Sequence, residues 1–396
     1  MSVKKLNALY LATIPFLSIY ALPNGLQLNW VLVVLLFVLN ISVVLKKQVL
    51  KIRKNEIAWF VGIMVIGFLG AVYNNVSNSF FDITLFFHNL FAIVLFFIAL
   101  IVFIGNSNVY LLKKYLYIFG GIAASICIYQ RVLFLITGSF PVDVFIPGLI
   151  VNRDLETFAV NRVSSFFTEP AHLAIYLLPI YYMSLYEKKY IITLLCGIGI
   201  ISSGSSTGFI LFFVLTIIYM QKSNAAKKYK FIFMLGGILA IALINIYFPD
   251  VLLDNIEKIN NADSNSMRLL GPLEYIQYMD IGQIMIGVGY NQLSDFLRYN
   301  GVFVLNDFGE EMNGNYANAF IYSFLSYGIV GFFTCLIYFY RTIKINKSDL
   351  GFIVFSIGIL LSDQVLFNRN LLYITYFLIF SQWIIPNKAI NKKCML

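Results

Sequence analysis

Long apolar blocks constrain the fold of this chain more than any other feature. Hydrophobic residues make up 60% of the 396 positions, and they form continuous stretches instead of the short alternating runs of a soluble core. A helix needs about 20 mostly apolar residues to cross the roughly 30 Å hydrocarbon layer of a bilayer. The sequence therefore predicts an all-α polytopic membrane protein, one integral membrane domain over 1–396. About twelve spans are predicted, near 6–22, 26–45, 57–73, 83–104, 115–136, 168–186, 190–203, 206–220, 231–248, 316–340, 351–363 and 370–386.

Charge placement predicts the topology. Of the basic residues, 21 follow an even number of spans, where only three acids lie, and the other seven share the remaining regions with sixteen acids. By the positive-inside rule, both termini are expected in the cytoplasm. The net charge of +9 is explained by topology, so no nucleic acid partner is predicted. The four cysteines lie within spans or in the tail and suggest neither an outer disulfide nor a metal site.

Arginine is concentrated on the predicted outer side. Six of the seven basic residues outside the cytoplasmic regions are arginines, whereas the cytoplasmic loops use mostly lysine. The arginine fork binds phosphate or carboxylate through two parallel hydrogen bonds. Pairing with outer acids is the alternative explanation for each of them; as a set they suggest an anionic ligand. They are Arg131, Arg153, Arg162, Arg268, Arg298 and Arg369.

Two predicted outer loops, about 137–167 and 249–314, are too long for simple turns, and loops of this length usually carry function. The larger one contains ten acids. Its stretch LLGPLEYIQYMDIGQ, residues 269–283, is expected to form an amphipathic helix on the bilayer surface.

Polar residues cluster where the sixth predicted span begins. Pro170 suits the first turn of a helix, and Glu169 before it is favoured by the positive end of the helix dipole. His172 lies on nearly the same face, and Arg162 is seven residues upstream of Glu169. Ionisable groups at such a position usually mark a functional cavity. A structural Glu–Arg pair at the helix mouth is the alternative.

Two glycine motifs follow. In the large loop, Arg268 precedes GVGYN, where Gly287 and Gly289 form a flexible turn that lets backbone approach a ligand. Asn318 begins the tenth span, in which Gly328 and Gly331 are expected to form a small-residue face for helix packing.

The order of these motifs resembles the Wzy-type O-antigen and capsular polysaccharide polymerases. The likeness lies in RVSSFFTEPAHLAIYL, SSGSSTGFILFF, the outer-loop arginine followed by GxG, and an asparagine followed ten residues later by GxxG, in order over about 160–335. That family is similar to the O-antigen ligases within one superfamily of membrane glycosyltransferase-like bundles. In place of the His-Asn pair of the ligases, this chain has Ala317 and Asn318, and Ser326 replaces the usual acid before the first glycine. Both departures favour a polymerase.

The resemblance implies a glycosyltransferase of the bacterial inner (plasma) membrane. It would join undecaprenyl-diphosphate-linked oligosaccharide repeats, as in capsule or lipopolysaccharide biosynthesis. Arg162 and Arg268 would hold the diphosphate leaving group, with Glu169 or His172 as the base. Arg153, Gly287, Gly289, Tyr290 and Asn318 are the expected substrate-binding residues. Membrane lipids, a chain-length regulator and a flippase are the expected partners.

Neither metal nor cofactor is expected, because no D-x-D pair lies in a plausible nucleotide-sugar site and no Walker motif occurs. The alternatives are an O-antigen ligase and a lipid-linked oligosaccharide flippase or other secondary transporter. A transporter would place its ionisable groups and helix breaks near the bilayer midplane, whereas here they gather at the outer ends of spans.

Overall fold

The computed structural model is mostly helical over the residues that it describes, which agrees with the all-α prediction. These residues are 2–17, 19–47, 54–77, 99, 102–138, 146–151, 163–167, 169–222, 271–302, 317–346 and 349–362. The ninth and twelfth predicted spans and most of the fourth lie outside them.

The described part of the chain contains eleven α-helices with defined limits, one 3-10 helix and two short strands, and residues 102–105 are also helical. The helices are α1 (Val3–Leu17), α2 (Leu28–Lys47), α3 (Lys54–Ser77), α4 (Val109–Thr137), α5 (Pro170–Tyr186), α6 (Tyr190–Ser202), α7 (Ser206–Lys222), α8 (Ile281–Ile286), α9 (Leu293–Tyr299), α10 (Ala319–Asn346) and α11 (Leu350–Ser362). The 3-10 helix is Gly271–Tyr278. Strand β1 (Tyr20–Ala21) pairs antiparallel with β2 (Ile150–Val151) and so joins the end of α1 to the loop that follows α4.

Three of the described helices are long and apolar enough to cross a membrane: Ile57–Asn75 within α3, Val109–Thr137 and Ala319–Arg341. Leu28–Ser42, Tyr190–Ser202, Ser206–Lys222 and Leu350–Ser362 are shorter apolar helices. Their apolar surfaces are compatible with a membrane protein.

Small residues bring α4, α5, α6 and α7 close together. A Cβ built on Gly208 of α7 would lie 2.5 Å from the Cβ of Ala174 on α5. Another, built on Gly199 of α6, would lie 2.9 Å from the Cβ of Ala124 on α4. Helices in lipid associate through such close packing, because lipid tails are as apolar as the side chains that they would replace.

A second group of helices contains α3, α8 and α10. Trp59 of α3 stacks on Tyr338 of α10, with ring centroids 4.1 Å apart. Further along α3, Gly67 lies so close to α10 that a Cβ built on it would be 2.9 Å from the Tyr327 ring. The short helix α8 and the turn after it pack against both α3 and α10.

Two ion pairs lie at helix ends that the topology prediction puts on the cytoplasmic side. Lys113 near the start of α4 pairs with Glu187 just after α5. Lys222 at the end of α7 pairs with Asp349 just before α11, and the Asp349 side chain is fully buried. Two of the three acids predicted on that side therefore each neutralise a lysine there.

Two predictions about individual segments were wrong. The first span was expected over 6–22, but α1 ends at Leu17 and residues 20–21 form β1. Residues 269–283 do not form one amphipathic helix: a 3-10 helix ends at Tyr278, and Asp280 then starts α8 by capping its N-terminus. This segment packs on α3 and α10.

Candidate functional site

The residues predicted from sequence fall into two clusters of the described structure, and three lie outside it. Arg153, Arg162 and Arg268 are outside the described residues. Glu169 and His172 belong to a cluster around the start of α5. Gly287, Gly289, Tyr290 and Asn318 belong to a cluster around a break in α10.

The start of α5 agrees with its prediction. Glu169 is the N-cap, in an extended conformation, and Pro170 is the first helical residue. The Glu169 carbonyl accepts from the N–H of Leu173 at 3.3 Å, while its half-buried side chain makes no capping hydrogen bond. His172 is half-buried on the first turn. The Glu169 carboxylate is thus not consumed by helix capping.

The chain approaches α5 through residues 163–167, which are mostly buried although they are not helical. The N–H of Phe167 donates to the Ser164 carbonyl at 2.9 Å and closes a turn. Ser165 adopts φ of +53°, a conformation that is uncommon outside glycine. Its N–H donates to Oε1 of Gln130 on α4 at 2.8 Å. The Gln130 side chain of α4 thus holds Ser165 in its strained conformation.

A serine-rich turn joins α6 to α7. Ser203 Oγ donates to the Ile200 carbonyl at 2.7 Å, and Gly204 has φ of +68°. Ser205 caps the N-terminus of α7. Its hydroxyl accepts from the N–H of Gly208 at 3.2 Å, and its carbonyl accepts from the N–H of Phe209 at 2.9 Å. This chemistry suits the Ser/Thr-Gly motif, because serine satisfies free backbone groups at a helix end.

Arg131 is a candidate that the sequence interpretation did not place in the site. Its side chain is 5% exposed, and its Nε and Nη2 donate to the Ser202 carbonyl at 3.1 and 2.8 Å. The positive charge therefore faces the C-terminal end of α6, where the helix dipole is negative. One signal was available: Gln130 and Arg131 are adjacent long polar residues inside an apolar span. Arg131 was instead considered only within the set of outer arginines.

Gln130 and Arg131 bring the two irregular segments to one place. Gln130 binds the approach at Ser165, and Arg131 binds the serine turn at Ser202. We call the approach 163–167 and the turn 202–206, together with these two side chains, the polar floor. The polar floor contains several serine hydroxyl groups and the positive charge of Arg131, and its segment 163–167 leads towards Glu169.

The second cluster is built on a break in α10. Gly328 has φ of +64° and ψ of −170°, so α10 consists of two helices that meet at a kink. The turn after α8 fits into this break: the N–H of Val288 donates to the Leu325 carbonyl at 2.9 Å, and the N–H of Gly289 donates to the Ser326 carbonyl at 3.0 Å. Backbone groups freed by the kink are thus satisfied by the GVG motif.

The glycines of this motif are required by close backbone approach. A Cβ on Gly287 would lie 2.3 Å from the backbone of Ser326, and one on Gly289 would lie 2.7 Å from the backbone nitrogen of Ala71. Gly328 was expected to serve packing with Gly331. It does lie against the backbone of Met285, but its positive φ also creates the kink, which the sequence interpretation did not anticipate.

Side chains of α3 fasten the same turn. Asn74 Nδ2 donates to the Val288 carbonyl, and Asn74 Oδ1 accepts from Gln283 Nε2. Gln283 and Asp280 form a capping box at the start of α8, and the Tyr73 hydroxyl lies 3.3 Å from the Asp280 carboxylate. This polar network fixes the end of the large loop to α3.

Tyr290 and Asn318 lie within the second cluster and are mostly buried. The N–H of Tyr290 lies 3.4 Å from the Gly67 carbonyl, and burial, with a smaller contribution from nearby Tyr322, raises the pKa of its phenol. Asn318 Oδ1 accepts from the N–H groups of Phe320 and Ile321 at 3.1 Å, so it caps α10. Both positions thus have structural duties.

Ser326 occupies the position at which an acidic residue was expected from the family resemblance. It is fully buried, and its hydroxyl has no hydrogen-bond partner among the described residues. No group of three or more His, Cys, Asp and Glu side chains that would suit a metal occurs in the part of the chain that the structure describes. The two clusters offer hydrogen-bonding groups, the fixed charge of Arg131 and the half-buried Glu169 carboxylate.

Comparison with protein-family models gives no match for this chain, and comparison with curated proteins gives no similar sequence.

Proposed function

We propose that this protein is a glycosyltransferase of the bacterial plasma membrane that polymerises lipid-linked oligosaccharide repeats. The donor is a glycan carried on a polyprenyl diphosphate such as undecaprenyl diphosphate, and the acceptor is a sugar hydroxyl of a second lipid-linked repeat. The reaction takes place on the outer face of a bundle of about twelve spans with both termini in the cytoplasm. The product is an O-antigen or capsular polysaccharide.

One observation carries the proposal: the motifs of the resemblance pack against each other in pairs. The Glu-Pro helix α5 packs on α7, which begins in the Ser/Thr-Gly motif, through Ala174 and Gly208. The GVG motif packs into the break of α10 next to Gly328. These contacts hold the motifs of the resemblance next to each other in two pairs, which supports the proposal.

The chemistry requires fixed cations where the leaving diphosphate gains charge, and preorganised donors are the largest source of such stabilisation. Arg162 and Arg268 are assigned this duty because they belong to the two long outer loops. Glu169 or His172 takes the proton from the attacking hydroxyl. The Glu169 side chain at the α5 N-terminus makes no capping hydrogen bond, which supports its assignment as this base.

The break in α10 resembles the discontinuous helices of secondary transporters, which leave backbone groups open to bind an ion or substrate. Here Leu325 and Ser326 use their carbonyls to accept hydrogen bonds from the GVG backbone. The break is therefore filled by the protein itself. This arrangement favours an enzyme over a transporter or flippase.

The test is a gel of lipid-linked glycans from cells lacking the gene, with and without complementation. We expect the deletion strain to accumulate a single repeat unit on its acceptor, and complementation to restore a ladder. Full-length polymer retained on the lipid carrier in the deletion strain would indicate a ligase instead. Repeats trapped in the cytoplasmic leaflet would indicate a flippase.

A further inference from the structure

The non-helical backbone of the polar floor lies beside the interior of α4 and not beside its end. The 29 residues of α4 span about 43 Å, whereas the 13 residues of α6 rise only about 20 Å. Consequently the serine turn meets α4 at Arg131, about 9 Å before its end at Thr137. At membrane depth, irregular backbone is tolerated only where protein or a water-filled cavity satisfies its polar groups.

Arg131 places a charged side chain against the Ser202 carbonyl inside an apolar span. A charged side chain in an apolar span costs several kcal/mol unless its surroundings compensate it, and such residues usually mark a functional site. The guanidinium reaches the Ser202 carbonyl through two of its nitrogens, which fixes the direction as well as the distance of the contact.

Ser165 provides an independent observation. It is 1% exposed, it has φ of +53°, and its hydroxyl has no hydrogen-bond partner among the described residues. Strained backbone and unsatisfied buried hydroxyls both concentrate at functional sites, where the surrounding structure enforces them. The contact that holds the Ser165 backbone is the hydrogen bond to Gln130.

We infer that Gln130 and Arg131 are positioning residues for the transfer reaction. Gln130 holds the segment that leads to Glu169, and Arg131 holds the turn from which α7 starts, so one turn of α4 sets the geometry of the polar floor. This inference rests on the proposed function and adds two residues to it. Neither contacts the reacting atoms; both act through the segments that they hold.

Substitution at Gln130 tests the inference through activity. Gln130→Met keeps the size and removes the acceptor, and we expect kcat for chain elongation to fall about tenfold or more with little change in KM, since small displacements of reacting groups slow the chemical step. Gln130→Glu keeps an acceptor oxygen and is expected to restore most of kcat. The control is Tyr129→Phe, because Tyr129 on the same helix is 64% exposed.

A second readout requires no substrate. In protein carrying Ser165→Cys, a membrane-impermeant maleimide should label position 165 slowly, and adding Gln130→Met should accelerate labelling about tenfold or more, because the held segment is released. Protein without Ser165→Cys gives the background, and the described native cysteines Cys127, Cys196 and Cys335 are all buried. Adding Tyr129→Phe should leave the rate unchanged.

Arg131 is tested in the same way with Arg131→Lys and Arg131→Met. Because lysine cannot reproduce the two-nitrogen contact, we expect Arg131→Lys to lower kcat while the apparent unfolding midpoint stays close to that of the wild-type protein. Equal losses of kcat and folded protein in every variant, or unchanged labelling of Ser165→Cys with Gln130→Met, would overturn the inference. If the wild-type protein elongates no donor, the proposed function is contradicted. The labelling experiment requires no substrate, so its result is independent of that outcome.

Discussion

Gly287 and Gly25 share a φ of +81° but differ in their surroundings. A Cβ on Gly287 would lie 2.3 Å from the α10 backbone, whereas one on Gly25 would meet nothing within 4 Å. Gly25→Ala should therefore cost about 1–2 kcal/mol, the price of a left-handed conformation for alanine. Gly287→Ala adds a steric clash to a backbone conformation, with ψ of 174°, that essentially only glycine adopts, and should cost about 3 kcal/mol or more.

Apparent unfolding midpoints in detergent compare these two variants directly. Equal shifts of the midpoint would mean that the GVG turn does not insert into the break of α10.

The outer arginines are expected to differ in their effect on activity. Arg162→Ala and Arg268→Ala should leave an inserted protein that no longer lengthens chains, because the leaving diphosphate loses a fixed cation. Arg→Lys at either position should also fail substantially, since lysine cannot form the two-pronged contact. Arg298→Ala is the matched control, because Arg298 is exposed on α9 in the same loop.

Glycan gels of complemented deletion strains give the readout for the arginine variants. A normal ladder from both Arg162→Ala and Arg268→Ala would remove these arginines from the mechanism.

Some residue-level features could be predicted and others could not. Pro170 was assigned to the first turn of a helix because its missing N–H costs nothing there, and the structure confirms this. The kink at Gly328 could not be anticipated, because a glycine inside an apolar helix also suits close packing. Its positive φ becomes favourable only when the GVG turn, which is distant in sequence, fills the break.

At the scale of helices, the contact between α5 and α7 depends on a missing side chain. Gly208→Ala would place a Cβ 2.5 Å from that of Ala174, so we expect a loss of about 1–3 kcal/mol from overpacking. Adding Ala174→Gly restores the space, and the double variant should recover part of that stability. Gly62→Ala is the control, since its Cβ would meet nothing within 4 Å.

Thermal unfolding of the single and double variants gives the interaction between the two positions. Additive losses would show that α5 and α7 do not pack through this pair.

The link between α7 and α11 depends on charge. Asp349 accepts from the Tyr182 hydroxyl at 2.5 Å and from the N–H of Gly351 at 2.8 Å, and it pairs with Lys222. Lys222→Met removes the cation that pairs with the buried Asp349 carboxylate in the described structure. It should cost about 3 kcal/mol, the lower end for a broken buried pair, because Lys222 is partly exposed. Adding Asp349→Asn should recover part of this loss. Exposed Lys344 supplies the control, Lys344→Met.

Unfolding midpoints of these variants give the readout. If Lys222→Met with Asp349→Asn is no more stable than Lys222→Met alone, the pairing of Lys222 with Asp349 is contradicted.

The short helix α6 explains why the polar floor escaped the sequence interpretation. Apolar periodicity identified the seventh and eighth spans as 190–203 and 206–220, close to α6 and α7. Periodicity does not say how deep a turn lies against a neighbouring helix. Because that depth depends on packing against α4, the contact of Arg131 with Ser202 emerges only in three dimensions.

For the whole molecule, charge distribution was the most informative property of the sequence. It grouped Lys113, Glu187, Lys222 and Asp349 on one side, and the structure joins them into two ion pairs. Helix type and the approximate limits of the described spans also follow from apolar length. The pairing of distant motifs does not, since it requires contacts that no local pattern specifies.

The most direct test of the proposed polymerase is reconstitution. Purified protein in vesicles would receive a synthetic single repeat unit on polyprenyl diphosphate as the sole substrate, with glycan length and released lipid diphosphate measured together. We expect products of two or more repeats and one lipid diphosphate released for each linkage formed. Unchanged single repeats, with no lipid diphosphate released by a folded protein, would contradict the proposal.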